Sequence, residues 1–141
     1  MSEPVTLTVT VLVIDDEPDV RWALEMMLIK HGFTVALAGS GAEALCWLRQ
    51  ETCGVMLLDA KLGDIDGVEL ARQIRHTTPC TAPVILVSGY FYKDDSTIQR
   101  NLRAGVISAF VTKPFRHDDI LKAIHAVLMT GWTGTPVALT P

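Results

Sequence analysis

Five short apolar runs recur along the chain, at residues 9–14, 34–38, 55–58, 84–87 and 109–112, most of them built from Val, Ile and Leu with little polar alternation. Runs of this length without alternation suit strands covered on both faces, and so predict a parallel sheet. Helical periodicity fills the gaps between them. Val20, Leu24, Met27, Leu28 and His31 share a face of the first helical segment, Ala42, Leu45 and Leu48 a face of the second, and Val68, Ala71 and Ile74 a face of the third. Ile98 and Leu102 form the stripe of the fourth, and Leu121, Ile124 and Leu128 that of the last.

The punctuation agrees with this division. Pro18 suits a first helical turn after Asp16 or Glu17, and Gly32 ends the first helix. Ser40 opens the second, with Glu43 at the spacing of a capping box, and Gly105 closes the fourth. Strict alternation of strand and helix predicts a single doubly wound α/β domain, a five-stranded parallel sheet with five helices and right-handed crossovers. Residues 8–129 form this domain. Residues 130–141 carry no charge, are rich in Thr, Gly and Pro, and read as a tail, the start of a linker or an arbitrary chain end.

Composition narrows the function classes. A chain of 141 residues, 49% hydrophobic and 20% charged, is sized for one domain with a core that needs no disulfide or metal staple. A net charge of −4 leaves no basic footprint, so direct nucleic-acid binding by this domain is not expected. Cys46, Cys53 and Cys80 form no CxxC pair and read as scattered reduced thiols. Neither a signal peptide nor a membrane span fits the sequence, and the expected compartment is the cytoplasm.

The polar residues that follow the strands carry the chemistry. Strand one runs into Asp15, Asp16 and Glu17, strand three into Asp59, strand four into Ser88 and strand five into Lys113 and Pro114. In a parallel sheet these ends lie on one edge, where open α/β sheets bind their ligands. Three carboxylates in a small volume resist joint ionisation unless a cation joins them, and one lysine is too little. Oxygen donors without His or Cys point to Mg²⁺, with Mn²⁺ as a substitute, rather than zinc. Cation, lysine and hydroxyl around one carboxylate make a set that handles phosphoryl groups, with Asp59 as the in-line nucleophile.

Four segments, VLVIDDEP at 11–18, MLLDAKLGDIDGVEL at 56–70, VILVSGY at 84–90 and FVTKPF at 110–115, together resemble the receiver domain of two-component response regulators. They occur in order, with 43 residues from Asp16 to Asp59 and 25 from Ser88 to Lys113. The resemblance implies the flavodoxin-like strand order 2-1-3-4-5 and a phosphorylation-activated switch served by a sensor histidine kinase or a phosphotransfer protein. It implies Asp59 as phosphoacceptor and Asp15, Asp16, Asp59 and the main-chain carbonyl of Lys61 as metal ligands. Ser88 and Lys113 would contact the phosphoryl group, Pro114 would follow a cis peptide bond, and Phe110 would be the switch aromatic beside Ser88. Phe110 lacks the hydroxyl of the Tyr often found there, so an inward bias is expected even without phosphate. A homodimer through helix 4, strand 5 and helix 5 would use that output face, with Ile98, Ile120 and Val127 lining it.

The sequence departs from the family pattern in two places. Leu62-Gly63 stands where Met-Pro is common, with Asp64 and Asp66 read as turn residues. The interval from Ser88 to Lys113 is about three residues longer than the family's, with the extra length assigned mainly to residues 90–95. Lys61 and Tyr90 occupy positions that tune phosphoryl lifetime in the family. An aspartyl-phosphate phosphohydrolase is the enzymatic alternative, but Lys61 breaks its DxD pair and the chain leaves little room for a substrate cap; catalysis beyond self-phosphorylation and self-dephosphorylation is therefore not expected. A flavodoxin-like redox module would need a Ser/Thr/Gly phosphate loop where the chain has Asp15-Asp16-Glu17. A docking module that works without phosphorylation would have no use for the full acidic and basic set. The four histidines lack ligand spacing, and Trp22 and Trp47 are expected to be partly packed.

Overall fold

A computed structural model describes residues 8–89 and 96–129. Its elements run β1 (Thr10–Ile14), α1 (Pro18–Lys30), β2 (Thr34–Ala38), α2 (Gly41–Gln50), β3 (Val55–Asp59), α3 (Gly67–Thr77), β4 (Val84–Ser88), α4 (Ser96–Arg103), β5 (Ala109–Thr112) and α5 (His117–Met129). The five strands form one all-parallel sheet in the order β2-β1-β3-β4-β5. The expected architecture and strand order are both present. The segment at 90–95, including Tyr90, and the tail at 130–141 lie outside the described residues.

Strand parity divides the core in two. Leu12, Ile14, Met56, Leu58, Val84, Leu86 and Phe110 face α2, α3 and α4, whereas Val11, Val13, Val55, Leu57, Ile85, Val87, Ala109 and Val111 face α1 and α5. The central strands β1, β3 and β4 are thus covered on both sides, which is why they lack alternation. β2 departs from the expectation. At the edge that the expected order gives it, it is not covered on both faces: only Ala38 is fully buried, and Leu37 is 38% exposed.

Pro18 occupies the first turn of α1 after Glu17, and Gly32 and Gly105 take positive φ where α1 and α4 end. Ser40 Oγ accepts from the Glu43 N–H, but the Glu43 carboxylate accepts from Gly39 rather than from Ser40, so the capping box closes one residue early.

Several helix faces need correction. On α1 the buried residues are Leu24, Met27 and Leu28, while His31 is exposed, its Nδ1 hydrogen-bonded to the Met27 carbonyl oxygen. Trp22 is 62% exposed and shares an outer stripe with Met26 and Ile29, whereas Trp47 is partly packed as expected. The α1 sequence is apolar on two sides, and only the sheet decides which side is covered. On α2 the buried set is Gly41, Ala44 and Leu48, with Ala42 exposed. On α5 it is Ile120, Ala123, Ile124 and Val127, with Leu121 and Leu128 half-buried. Ile98, Ile120 and Val127, expected on an output surface, are therefore core residues, no more than 3% exposed. Among the described residues, no helix is long and apolar enough to cross a membrane.

Candidate functional site

The register brings the ends of β1, β3, β4 and β5 to one edge of the sheet: Ile14 lies beside Leu58, Asp59 beside Val87 and Ser88 beside Thr112. Asp15 continues β1, its N–H donating to the Ala38 carbonyl at 3.1 Å. Its Oδ1 accepts from the Glu17 N–H at 2.9 Å, which folds the chain into α1. The Arg21 guanidinium, one turn into that helix, donates to the Asp15 carbonyl at 2.7 Å. Asp15 is thereby buried, while Asp16 next to it is exposed.

Asp59 ends β3 and is 7% exposed. Its Oδ1 accepts from the Lys61 N–H at 3.1 Å. The following loop is folded back by a bridge between Lys61 and Asp66 and by a hydrogen bond from the Gly67 N–H to the Ala60 carbonyl at 2.8 Å. This closeness demands glycine. A Cβ at position 67 would stand 2.5 Å from the Asp59 carbonyl oxygen and 2.8 Å from the Ala60 Cα. Asp66 caps α3, accepting from the Val68 and Glu69 N–H groups. Asp64 reaches across and accepts from the Gly41 and Ala42 N–H groups at the start of α2. Those bonds hold its carboxyl below the usual carboxylate range, the one from Gly41 contributing most. Both aspartates are thus loop organisers, in keeping with their reading as turn residues.

Asp15, Asp16 and Asp59 each offer a carboxylate oxygen, and the three atoms lie within 4.8 Å of one another. Lys113 Nζ stands 3.7 Å from Asp59 Oδ2 and 4.0 Å from Asp15 Oδ2. Leu24, Leu57, Val87 and Phe115 line a small cavity that also touches Asp15 and Asp59. Burial is the main reason the Asp15 carboxyl is pushed up to about 6, with Asp59 adding repulsion and the Glu17 N–H and Lys113 opposing it. Burial also raises Asp59, with Asp16 and Glu17 adding to it, against the Lys61 N–H and Lys113. Two buried carboxylates that resist ionisation beside a third are a site deficient in positive charge.

The hydroxyl-bearing Ser88 is 1% exposed at the end of β4, and its carbonyl accepts from the Lys113 N–H at 2.7 Å. That bond ties the ends of β4 and β5 together immediately before the cis Lys113–Pro114 bond. Phe110 lies on the same sheet face two residues before Thr112, which pairs with Ser88, and is 8% exposed within the α2–α4 side of the core. Lys61 is exposed.

The structure thus brings Asp15, Asp16, Asp59 and Lys113 together and puts Ser88 on the adjacent strand end. Sequence reasoning missed Arg21, the span of Asp64 to α2 and the steric role of Gly67. Only Gly67 had a signal, a glycine opening a helix shortly after a strand-end aspartate.

A family profile described as the response regulator receiver domain matches residues 11–125. The chain is 35% identical over 122 residues to the transcriptional regulatory protein AfsQ1 of Streptomyces coelicolor, covering 86% of this chain and 52% of that protein. It is 33% identical over 119 residues to the protein PilH of Pseudomonas aeruginosa, covering 84% of this chain and 96% of that one. It therefore spans about half the length of AfsQ1 and nearly all of PilH. The response regulator TrrA of Thermotoga maritima, solved in complex with Mg²⁺-BeF, superposes with a TM-score of 0.73 at 27% identity, covering 85% of this chain and 99% of that one.

Proposed function

The chain belongs to the response regulator receiver domain family, and on that premise we propose that Asp59 accepts a phosphoryl group from a histidine kinase or a phosphotransfer protein. The observation that carries this reading is Lys113 Nζ within 4.0 Å of both Asp59 and Asp15. It supports Asp59, the nearer of the two at 3.7 Å, as a carboxylate backed by a cation at the edge where Asp16 also converges.

In the reaction an Asp59 carboxylate oxygen attacks the phosphorus of a phosphoimidazole. The O–P bond forms as the P–N bond breaks, and the departing imidazole nitrogen keeps the bonding electron pair and takes up a proton. Lys113 neutralises charge on the phosphoryl oxygens, and the Ser88 hydroxyl donates to one of them. The donor set fits a hard divalent cation, since the cluster offers carboxylate oxygens and a deficit of positive charge. Asp15, Asp16, Asp59 and the Lys61 carbonyl would hold Mg²⁺, or Mn²⁺ in its place. The bound ion supplies further neutralisation of the phosphoryl oxygens.

Phosphorylation would draw Ser88 toward Asp59 and favour Phe110 turned inward, and the burial of Phe110 already supports the inward bias. The receiver unit spans residues 8–129, followed by a tail or linker at 130–141, and works in the cytoplasm. Self-association through α4, β5 and α5 would use exposed polar residues such as Arg100, Arg103, Asp118 and Lys122, since the apolar residues once expected there are in the core.

Incubation with acetyl phosphate and Mg²⁺ tests the reading. One acid-labile phosphoryl adduct by intact mass is expected, and none on Asp59→Asn. Full labelling of that variant would remove Asp59 from its role.

A further inference from the structure

The opposite edge of the sheet holds a second cluster of reactive groups. Cys53 lies just before β3 and Cys80 in the loop before β4, 27 positions apart in sequence. Pairing of β3 with β4 brings these lead-in segments together, and the Met56 N–H donates to the Pro83 carbonyl. The two thiols, which sequence reading treated as scattered, lie close enough to perturb each other's protonation. Both are half-buried, and both line a surface cavity of about 180 Å³ walled also by Glu51, Thr52, Pro79 and Thr81. Arg75 of α3 donates to the Cys80 carbonyl at 3.3 Å, which places a guanidinium beside the pair.

We propose that Cys53 and Cys80 are a reactive dithiol that hydrogen peroxide converts to an intramolecular disulfide, at the end of the sheet remote from Asp59. Cys80 is the attacking sulfur. Its thiol is lowered to about 6, chiefly by the hydrogen bond from Cys53, with the Ala82 N–H and Arg75 assisting against burial. Cys53 is held protonated, first by its bond to Cys80 and then by burial.

The Cys80 thiolate attacks one peroxide oxygen. The O–O bond breaks, hydroxide leaves, and Cys80 becomes a sulfenic acid. The negative neighbour that kept Cys53 protonated is then gone. Cys53 sulfur attacks the Cys80 sulfur, the S–O bond breaks, and the sulfenic oxygen departs as water with the Cys53 proton. Two electrons pass from the two sulfurs to the peroxide. The cavity admits a small oxidant to the pair, and the adjacent second thiol resolves the sulfenic acid before further oxidation.

The test uses the full reduced chain treated with one equivalent of hydrogen peroxide. Loss of two of the three thiols, a single cross-linked peptide joining Cys53 to Cys80, and a free Cys46 are expected. In Cys53→Ser a sulfenic acid should accumulate on Cys80 and be trapped by dimedone. Cys46→Ser should form the disulfide like the parent chain. Alkylation of Cys80 by iodoacetamide should exceed that of an ordinary cysteine peptide several-fold at pH 6, and by less at pH 7. A larger thiolate fraction is partly offset by weaker nucleophilicity, and the fraction's advantage shrinks as pH rises. Oxidation confined to dimers linked through Cys46, or a Cys80 sulfenic acid that persists in the parent chain, would overturn the proposal.

Discussion

Replacing Asp15 with Asn should stabilise the metal-free protein. Asp15 is 4% exposed, and its carboxyl is raised from an ordinary 3.8 to about 6 in the fold. Two pKa units correspond to about 3 kcal/mol at about 1.4 kcal/mol per unit, counted against the folded state wherever Asp15 is ionised. The sign follows from the raised value. Between pH 4 and 6 the folded chain holds a proton that the unfolded chain has released, so stability falls as pH rises through that window. The penalty is small at pH 4, grows through pH 5 and levels off at about 3 kcal/mol above pH 7. An asparagine keeps an oxygen for the Glu17 N–H but loses the attraction to Lys113, already counted within the net shift. Amide burial has its own cost, so a realised gain of about 1–3 kcal/mol is expected at pH 7.5. Urea unfolding with a chelator present, at pH 4, 5 and 7.5, measures it. Added Mg²⁺ should stabilise the parent and not the variant, closing the gap. A variant no more stable than the parent at pH 7.5, or a gain that is equal at pH 4 and pH 7.5, would refute the electrostatic argument.

Asp16→Ala should weaken Mg²⁺ binding sharply, read from magnetic-resonance shifts at residues 15–17 and 59–61; unchanged affinity would put the ion elsewhere. Gly67→Ala should cost roughly 1–3 kcal/mol, since its Cβ would stand 2.5 Å from the Asp59 carbonyl oxygen, and should slow labelling by acetyl phosphate; thermal unfolding and adduct kinetics check both. Asp64→Ala should cost about 1 kcal/mol by uncapping α2, seen as faster amide exchange at Gly41 and Ala42. Beryllofluoride with Mg²⁺ should move Ser88 while Phe110 stays buried; full occupancy with no change at Ser88 would contradict the switch.

Much of what near neighbours in the chain set was legible in the sequence. Unalternated apolar runs located β1, β3, β4 and β5 to within a residue, because strands covered on both faces have no polar side to show. Pro18, Ser40, Gly32 and Gly105 marked helix ends through interactions within about one turn. Asp15, Asp16, Asp59, Ser88 and Lys113 could be gathered on one edge because each follows a strand, and parallel strands end on the same side. Layering decided the rest. The apolar sequence of α1 has two faces, and only the sheet beneath it settles that Leu24 is covered and Trp22 is not. The apolar run of β2 reads as covered on both faces, but at the sheet's edge Leu37 is left exposed. Asp64 finds its partners in α2 and Cys53 meets Cys80 because helices and strands distant in sequence are stacked side by side. Such contacts have no periodicity and no local energy to announce them, so they exist only once the tertiary structure has formed.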